Sequence, residues 1–317
     1  MKLDRKVKLP APLFRDPIYD SPTDPVIIWN HIEKCWFLMY TQRRSSEFGI
    51  GVSTVYGSEI GIASSTDGTR WLYRGVAEGL HFEHGHNTFW APEIIFAKGK
   101  YHMYCSYIRG VATDWGWPAH IVHYTSDDLW VWHYESILQL SSDRVIDACV
   151  YEIGDGLYKM WHKDDFGGTH TSSAVSHDLY NWEVVGPEIT DCGHEGPNVF
   201  RFKGRNWMIT DTWHGQGVYS SEDFSHWTRQ SENLLVKNGT RPLDFGVGLH
   251  ADVLVRGEGD DERAYIVYFT HPYRSTADNK SPIENRELDL RTAIQIAELK
   301  YDGECLYCDR DADVYFD

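Results

Sequence analysis

The chain repeats one short pattern, and this repeat limits the folds open to it more than any other feature. Each copy is an aspartate followed four residues later by a tryptophan: Asp67/Trp71, Asp128/Trp132, Asp178/Trp182 and Asp223/Trp227. Every copy follows a short apolar run that is typical of a β-strand, and an aspartate at such a place favours a tight turn. We therefore predict that each pair closes a β-hairpin, with the tryptophan lying over it.

A second pattern precedes each hairpin and consists of a turn followed by a strand with alternating aromatic residues. It occurs five times, at 33–40, 98–104, 154–161, 203–209 and 261–268. The fifth hairpin is completed by 293–299, with a turn at Asp302-Gly303 and no tryptophan. Each unit thus supplies about four short antiparallel strands, and no helical period separates them.

Four-stranded units at this spacing predict a β-propeller, because each blade buries its faces against its neighbours. We expect an all-β chain that forms one domain over residues 1–317, a five-bladed β-propeller with four antiparallel strands per blade. A β-sandwich is the alternative, but it does not account for the repeat.

Aromatic residues are numerous, with 13 Trp, 19 Tyr and 13 Phe. Flat side chains suit the packing of one blade on the next, and about half of the rings fall at the repeat positions. The others are concentrated near strand ends and loops that should surround the propeller axis, at Trp90, Trp115, Trp117, Trp161 and Trp213.

The charge balance argues against a polyanionic partner. The chain has 30 basic and 47 acidic residues, a formal net charge of −17, which repels nucleic acid and anionic membranes. No stretch approaches the ~20 apolar residues of a membrane span, and the first residues lack the apolar segment of a signal peptide. Six cysteines, most of them in apolar runs, suit a reducing compartment. We expect a cytoplasmic protein; its oligomeric state is left open.

Acidic residues or a histidine stand beside a turn-forming residue where each first strand begins: Asp24, Glu93, Asp147, Glu195 and His250. The innermost strands of a propeller converge on its axis, so these side chains should meet at the mouth of the central channel. Taken singly, each is better explained as a turn, a strand cap or a core histidine. Their recurrence instead favours a site in which one neutral and one ionised carboxyl group act together, as glycoside hydrolysis requires.

Several motifs resemble family 43 glycoside hydrolases and their five-bladed relatives, over about Asp16 to Asp302. They are Asp24-Pro25-Val26, Phe89-Trp90-Ala91-Pro92-Glu93, Asp147 ahead of Asp155-Gly156-Leu157-Tyr158, and Glu195-Gly196-Pro197. The resemblance implies that Asp24 is the general base, Glu195 the general acid, and Asp147 the residue that tunes the acid and orients the substrate. It further implies that Arg291 contacts the acid and that His250 binds a calcium ion or water near the axis. No cofactor is otherwise required.

Seven residues are predicted to bind substrate: Arg43, Asn87, Trp90, Glu93, Trp161, His250 and Arg291. Tryptophan faces stack on sugar rings, and arginine can hold a carboxylate or hydroxyl groups. The cluster His81/His84/His86 could suggest a metal site, but it lacks a complete ligand set, so sugar hydrogen bonding or loop packing is favoured.

Together these features predict an inverting, exo-acting glycoside hydrolase that removes a terminal sugar from an oligosaccharide. The resemblance alone suggests an arabinofuranosyl or xylosyl unit. The alternatives are a glycan-binding propeller without activity, a hydrolase of anhydro-sugars or galactosides, and a glycoside phosphorylase with a phosphate site at Arg43-Arg44. Carboxylates that share one pocket would favour an enzyme over a binding protein.

Overall fold

The computed structural model describes residues 7–46, 49–166, 168–274 and 286–316. They form five four-stranded antiparallel sheets and one two-stranded sheet. In each large sheet the strand order follows the sequence, so every blade is a simple meander. The predicted five-bladed β-propeller with four strands per blade is confirmed.

The strands of the first three blades follow one another without interruption. Blade 1 contains β2 (Asp20–Asn30), β3 (Cys35–Arg44), β4 (Glu59–Ser65) and β5 (Leu72–Val76). Blade 2 contains β6 (Thr88–Ala97), β7 (Lys100–Ile108), β8 (His120–Ser126) and β9 (His133–Ile137). Blade 3 contains β10 (Val145–Gly154), β11 (Leu157–Asp164), β12 (His170–Ser176) and β13 (Glu183–Ile189).

The last two blades have the same order, and a short sheet joins the described ends of the chain. Blade 4 contains β14 (Glu195–Phe202), β15 (Arg205–Asp211), β16 (Gln216–Ser221) and β17 (Thr228–Arg229). Blade 5 contains β18 (Leu249–Arg256), β19 (Arg263–Thr270), β20 (Ala293–Tyr301) and β21 (Leu306–Cys308). The short sheet pairs β1 (Val7–Lys8) with β22 (Tyr315–Phe316).

Within the ranges that the structure describes, helical structure is confined to short segments: α1 (Arg286–Asp289) and the 3₁₀ turns Ser53–Val55 and Gly259–Asp261. Among the described residues, no helix has the length and apolar character of a membrane span. All six cysteines are free thiols.

The repeated aspartates close the turns between the third and fourth strands. Asp128 Oδ1 accepts hydrogen bonds from the backbone N–H groups two and three residues later, at 2.8 and 3.0 Å. Asp178 and Asp223 make the same pair of bonds in their own blades. Trp132 is buried in the cluster between blades 1 and 2. The repeat therefore has a local hydrogen-bonding cause.

Apolar clusters lie between successive blades all the way round the ring. Phe37 and Met39 of blade 1 pack with Phe89 and Tyr101 of blade 2, and equivalent clusters join blades 2 and 3, 3 and 4, 4 and 5, and 5 and 1. Each blade thus buries both faces, which accounts for the aromatic repeat positions.

Every innermost strand carries a β-bulge at the same register. The pairing with the second strand shifts between Thr23/Val26, Trp90/Glu93, Ile146/Cys149, Glu195/Asn198 and Leu249/Asp252. Four residues that follow these shifts have left-handed backbone conformations: Asp24 (φ 50°), Ala91 (φ 44°), Asp147 (φ 58°) and Gly196 (φ 56°). A bulge changes the direction of a side chain and is common beside active sites.

The ring is closed by the N-terminal segment, which packs on blade 5. Phe14 pairs with Ile294 of β20, and the Leu9 N–H donates to the Val314 carbonyl at 2.8 Å. Phe316 of β22 lies in the same apolar cluster as Leu9.

Phe316 should therefore stabilise the closed ring. Phe316→Ala is expected to lower the free energy of unfolding by about 3 kcal/mol, because it leaves a cavity in a packed cluster. Urea denaturation followed by tryptophan fluorescence measures this. Tyr315→Ala is the matched control, because Tyr315 is exposed on the same strand. Equal stability of the two variants would contradict the closing role of Phe316.

Candidate active site

A cavity of about 490 Å³ lies over one end of the central channel, and residues from all five blades line it. Asp24, Asp147 and Glu195, the three residues predicted to be catalytic, all contribute to its wall. They come from blades 1, 3 and 4, so the ring brings together positions that are far apart in sequence. Three predicted substrate-binding residues also line this cavity: Arg43, Trp90 and His250.

His250 lies between the carboxylates. Its Nδ1 is 3.6 Å from Asp24 Oδ1 and 3.8 Å from Asp147 Oδ2, and its backbone N–H donates to Asp211 Oδ2 at 2.7 Å. Burial alone would lower the pKa of His250, but the negative charges of Asp147 and Asp24 outweigh it and raise the pKa. The imidazole therefore tends to carry a proton, which offsets part of the carboxylate charge.

The backbone at Gly196 leaves room for this imidazole. A Cβ at position 196 would lie 3.2 Å from the His250 ring atoms. The residue also has a left-handed conformation, which glycine adopts without strain. A glycine is therefore required both by the bulge and by the histidine that packs against it.

Asp24 is buried and held in its ionised form. Burial would raise the pKa of Asp24, but the nearby Arg43 and His250 cations outweigh it, so that the pKa is lowered. Arg43 Nη2 lies 3.5 Å from Asp24 Oδ2, and the Thr23 hydroxyl donates to the same oxygen at 3.0 Å. An ionised carboxylate of this kind can accept a proton from water.

Glu195 forms an ion pair with Lys163, a residue that the sequence analysis did not identify. Lys163 Nζ lies 3.0 Å from Glu195 Oε2 and 5.6 Å from the centre of the Trp213 ring. Burial would raise the pKa of Glu195, but Lys163 outweighs it and lowers the pKa. In the same way the pKa of Lys163 is raised, since the charge of Glu195 outweighs the effect of burial.

Two further carboxyl groups of the cavity retain protons more readily. Asp211, also not predicted, pairs with Glu195 across β14 and β15 and accepts a backbone hydrogen bond from Trp213 at 2.7 Å. Burial and the charge of Glu195 raise the pKa of Asp211. Burial is also the main cause that raises the pKa of Asp147, with Glu195 adding to it against the opposing charge of His250. The cavity therefore contains both charged and proton-holding carboxyl groups, as acid–base catalysis requires.

Lys163 and Asp211 occupy equivalent positions on the second strands of blades 3 and 4. Each is the second-strand residue paired opposite the start of a bulge, Lys163 with Ile146 and Asp211 with Glu195. Both residues lie two positions beyond the aromatic motifs 154–161 and 203–209, so those motifs do not include them.

Glu93 was predicted to contact substrate, but it lies outside this cavity. It follows its bulge and lines a different cavity with Asn198 and Asp252. It accepts a hydrogen bond from the Val150 N–H at 2.7 Å. Burial and the charge of Asp252 raise the pKa of Glu93 to about 8.

The other three predicted substrate contacts also lie elsewhere. Trp161 is fully buried between blades 3 and 4, and its Nε1 donates to Glu188 Oε2 at 2.7 Å. Asn87 holds a loop, because its Oδ1 accepts from the Gly110 N–H at 2.9 Å. Arg291 Nε lies 3.5 Å from Asp20 Oδ2 and does not reach Glu195 as the resemblance implied.

Exposed aromatic residues surround the opening. Trp115 and Trp117 are 63% and 53% exposed, and both line the cavity together with Trp213. Their ring faces are free of the blade packing that holds Trp161, so they are available to a sugar ring.

The fit of the predicted calcium ion is poor. Calcium takes six to eight oxygen ligands, whereas the carboxylates here face the imidazole nitrogen of His250. Within the described ranges, no group of three or more His, Cys, Asp or Glu side chains is placed to hold a metal ion. His81 and His86 bond instead to Glu59 Oε1 and to the Gly57 carbonyl, at 2.9 and 3.1 Å.

Comparison with known proteins identifies similar structures only. No family model and no curated protein matches the sequence. A thermostable family-43 glycoside hydrolase is 18% identical over 93% of this chain and 95% of its own, with a TM-score of 0.67. A family 117 glycoside hydrolase from the marine bacterium Zobellia galactanivorans is 17% identical over 97% and 90%, with a TM-score of 0.67.

A family 32 β-fructofuranosidase from Bombyx mori is 14% identical over 96% of this chain, which spans 65% of that protein, with a TM-score of 0.68. At these identities the similarity concerns the fold. It confirms the resemblance in fold to five-bladed propellers such as that family 43 glycoside hydrolase.

The Lys163–Glu195 pair gives a test of the site's electrostatics. Lys163→Met should raise the pKa of Glu195, measured as the titration of its carboxyl carbon by ¹³C NMR. Because the pair lowers this pKa in the folded protein, its stabilising effect is present above the unfolded-state pKa and is lost as the pH falls. The variant should therefore lose more stability at pH 7 than at pH 3, relative to the wild type.

Lys163→Arg retains the cation and serves as the matched control. An unchanged Glu195 titration in Lys163→Met would contradict the assigned ion pair.

Proposed function

We propose that this protein is a glycoside hydrolase that removes a terminal sugar from an oligosaccharide with inversion at the anomeric carbon. The observation that carries the proposal is that Asp24, Asp147 and Glu195 line one cavity over the propeller axis. A shared cavity favours an enzyme over a binding propeller with scattered carboxylates. The glycoside hydrolases among the structurally similar proteins add support.

In this proposal Asp24 is the general base. Its lowered pKa keeps it ionised at neutral pH, so it can take a proton from the water that attacks the anomeric carbon. Arg43 and His250 stabilise the charge of Asp24 before the reaction, and the proton that Asp24 receives neutralises it.

Glu195 is the general acid and protonates the glycosidic oxygen as the bond breaks. In the free protein Lys163 favours the ionised form of Glu195, so the acid must acquire its proton within the cavity. Asp147 and Asp211 have raised pKa values and retain protons there. Inversion further requires the Asp24 and Glu195 carboxyl groups to lie ~6.5–9.5 Å apart, which leaves room for the water.

The walls of the cavity favour a terminal sugar. Because side chains from all five blades surround it, a glycan chain would enter with its end rather than lie across the ring. Trp115, Trp117 and Trp213 offer faces for stacking on the sugar, and Trp90 lines the cavity behind them. An arabinofuranosyl or xylosyl unit is the first choice by resemblance.

A phosphorylase using Arg43-Arg44 as its phosphate site is less favoured. Arg44 Nη2 donates to the backbone carbonyls of Ser53 and Tyr56, at 3.0 and 2.7 Å, and so holds the 53–56 segment. Only Arg43 of the pair lines the cavity.

The acid and the base can be tested separately. Glu195→Gln should lower kcat by roughly 10²–10⁴-fold on natural oligosaccharides and much less on aryl glycosides, whose leaving groups need no proton. Asp24→Asn should lower kcat on both. The measurement is a screen of aryl glycosides and plant or algal oligosaccharides.

Glu93→Gln is the matched control for this experiment. Its pKa of about 8 keeps Glu93 neutral at pH 7, so the amide replaces it without a change of charge. Activity should therefore remain near that of the wild type. Unimpaired turnover of natural oligosaccharides by Glu195→Gln would contradict the assignment of Glu195 as the general acid.

Product stereochemistry tests the inversion. ¹H NMR in the first minutes of the reaction should show the anomer opposite to that of the substrate. A product that retains the substrate configuration would instead indicate a covalent intermediate.

A further inference from the structure

One wall of the cavity carries two arginine side chains beside a histidine. Arg43 comes from β3, and His271 and Arg274 follow β19. The Arg43 guanidinium lies 6.0 Å from the Phe269 ring centre, and the His271 ring lies 5.7 Å from the same centre, edge-on to it. All four residues line the cavity.

Both guanidinium groups have donors to spare. Arg43 Nε is buried without a hydrogen-bond partner, and the contact of Arg43 with Asp24 is long, at 3.5 Å. Arg274 donates through Nε to the Asp289 carbonyl at 3.2 Å. In the described part of the chain, no carboxylate accepts a hydrogen bond from its terminal amino groups. A buried donor without an acceptor is costly, so a ligand that supplies an acceptor to Arg43 Nε would complete this wall.

The positive charges of Arg43 and Arg274 on this wall also lower the pKa values of the groups beside them. Burial and the positive charge of Arg43 lower the pKa of Arg274 to about 10, against the attraction of Asp289. Burial, Arg274 and Arg43 together place the pKa of His271 well below its usual value. His271 is thus neutral at pH 7, while the two arginines remain charged and repel each other.

We infer that Arg43 and Arg274 bind an oxyanion, namely the carboxylate of a uronosyl residue at the end of the substrate. Arginine binds planar carboxylates through two parallel hydrogen bonds. A single negative charge is preferred to a phosphate dianion, because the ionised Asp24 lies 3.5 Å from Arg43. This inference rests on the proposed function, and it replaces the neutral arabinofuranosyl or xylosyl unit suggested by resemblance with a terminal uronosyl unit.

Binding of free sugars tests the inference without any catalytic step. Isothermal titration at pH 7 and low salt would compare uronic acids with their neutral counterparts: glucuronate with glucose, galacturonate with galactose, and mannuronate with mannose. In at least one pair the acid should bind about tenfold more tightly or better. Arg274→Gln should remove this preference and leave the affinity for the neutral sugar unchanged.

Two variants control for charge and folding. Arg144→Gln removes another arginine of the cavity, one that lies 3.5 Å from Asp165, and should leave the preference unchanged. Arg274→Lys retains the charge without the paired donors and should give an intermediate preference. Thermal unfolding of each variant confirms that it is folded.

Equal affinities within every pair, or a preference that survives Arg274→Gln, would overturn the inference. So would binding of inorganic phosphate that depends on Arg274 when no uronate binds. The same titrations with Glu195→Gln separate this result from the proposed function. A uronate preference in that variant, together with unimpaired turnover, would reject the assigned acid but retain the anion site.

Discussion

The innermost strands of the five blades run around one narrow axis, where a regular strand would send alternate side chains straight across the channel. Every blade instead carries a β-bulge at a common register of its innermost strand, which changes the direction of the side chains there. At the bulge, Asp24 and Asp147 take up left-handed backbone conformations that cost most residues about 1–2 kcal/mol. Aspartate tolerates this region better than most residues. An aspartate at this position therefore both tolerates the left-handed backbone of the bulge and supplies a carboxylate to the cavity.

The bulge also separates the two ends of the channel. Beyond it the alternation of side chains is shifted, so Glu93 and Asp252 face the opposite cavity from Asp24 and His250. Asp24 is thus placed beside the cations Arg43 and His250, which lower its pKa, whereas burial raises the pKa values of Glu93 and Asp252. The positive charges of Arg43, Lys163 and His250 offset the free-energy cost of burying the ionised carboxylates of Asp24 and Glu195.

The parts of the fold that sequence predicts are those with local causes. The turn at Asp128 is held by bonds to residues two and three positions later, so the repeat shows it directly. Lys163 and Asp211 depend on cross-strand pairing, which no first-strand motif records. Glu93 was misplaced because the bulge changes which side of the strand faces the cavity, and Trp161 because its aromatic strand faces the next blade. The roles of the site residues, the inversion and the cytoplasmic location remain predictions.

The pairing of β1 with β22 brings the described ends of the chain side by side. In connectivity the propeller is nearly a circle, and blade 5 is built from consecutive strands rather than from both ends of the chain. Blades 1 and 5 are therefore held together twice, by the apolar cluster between them and by the pairing of the strands that flank them in the chain.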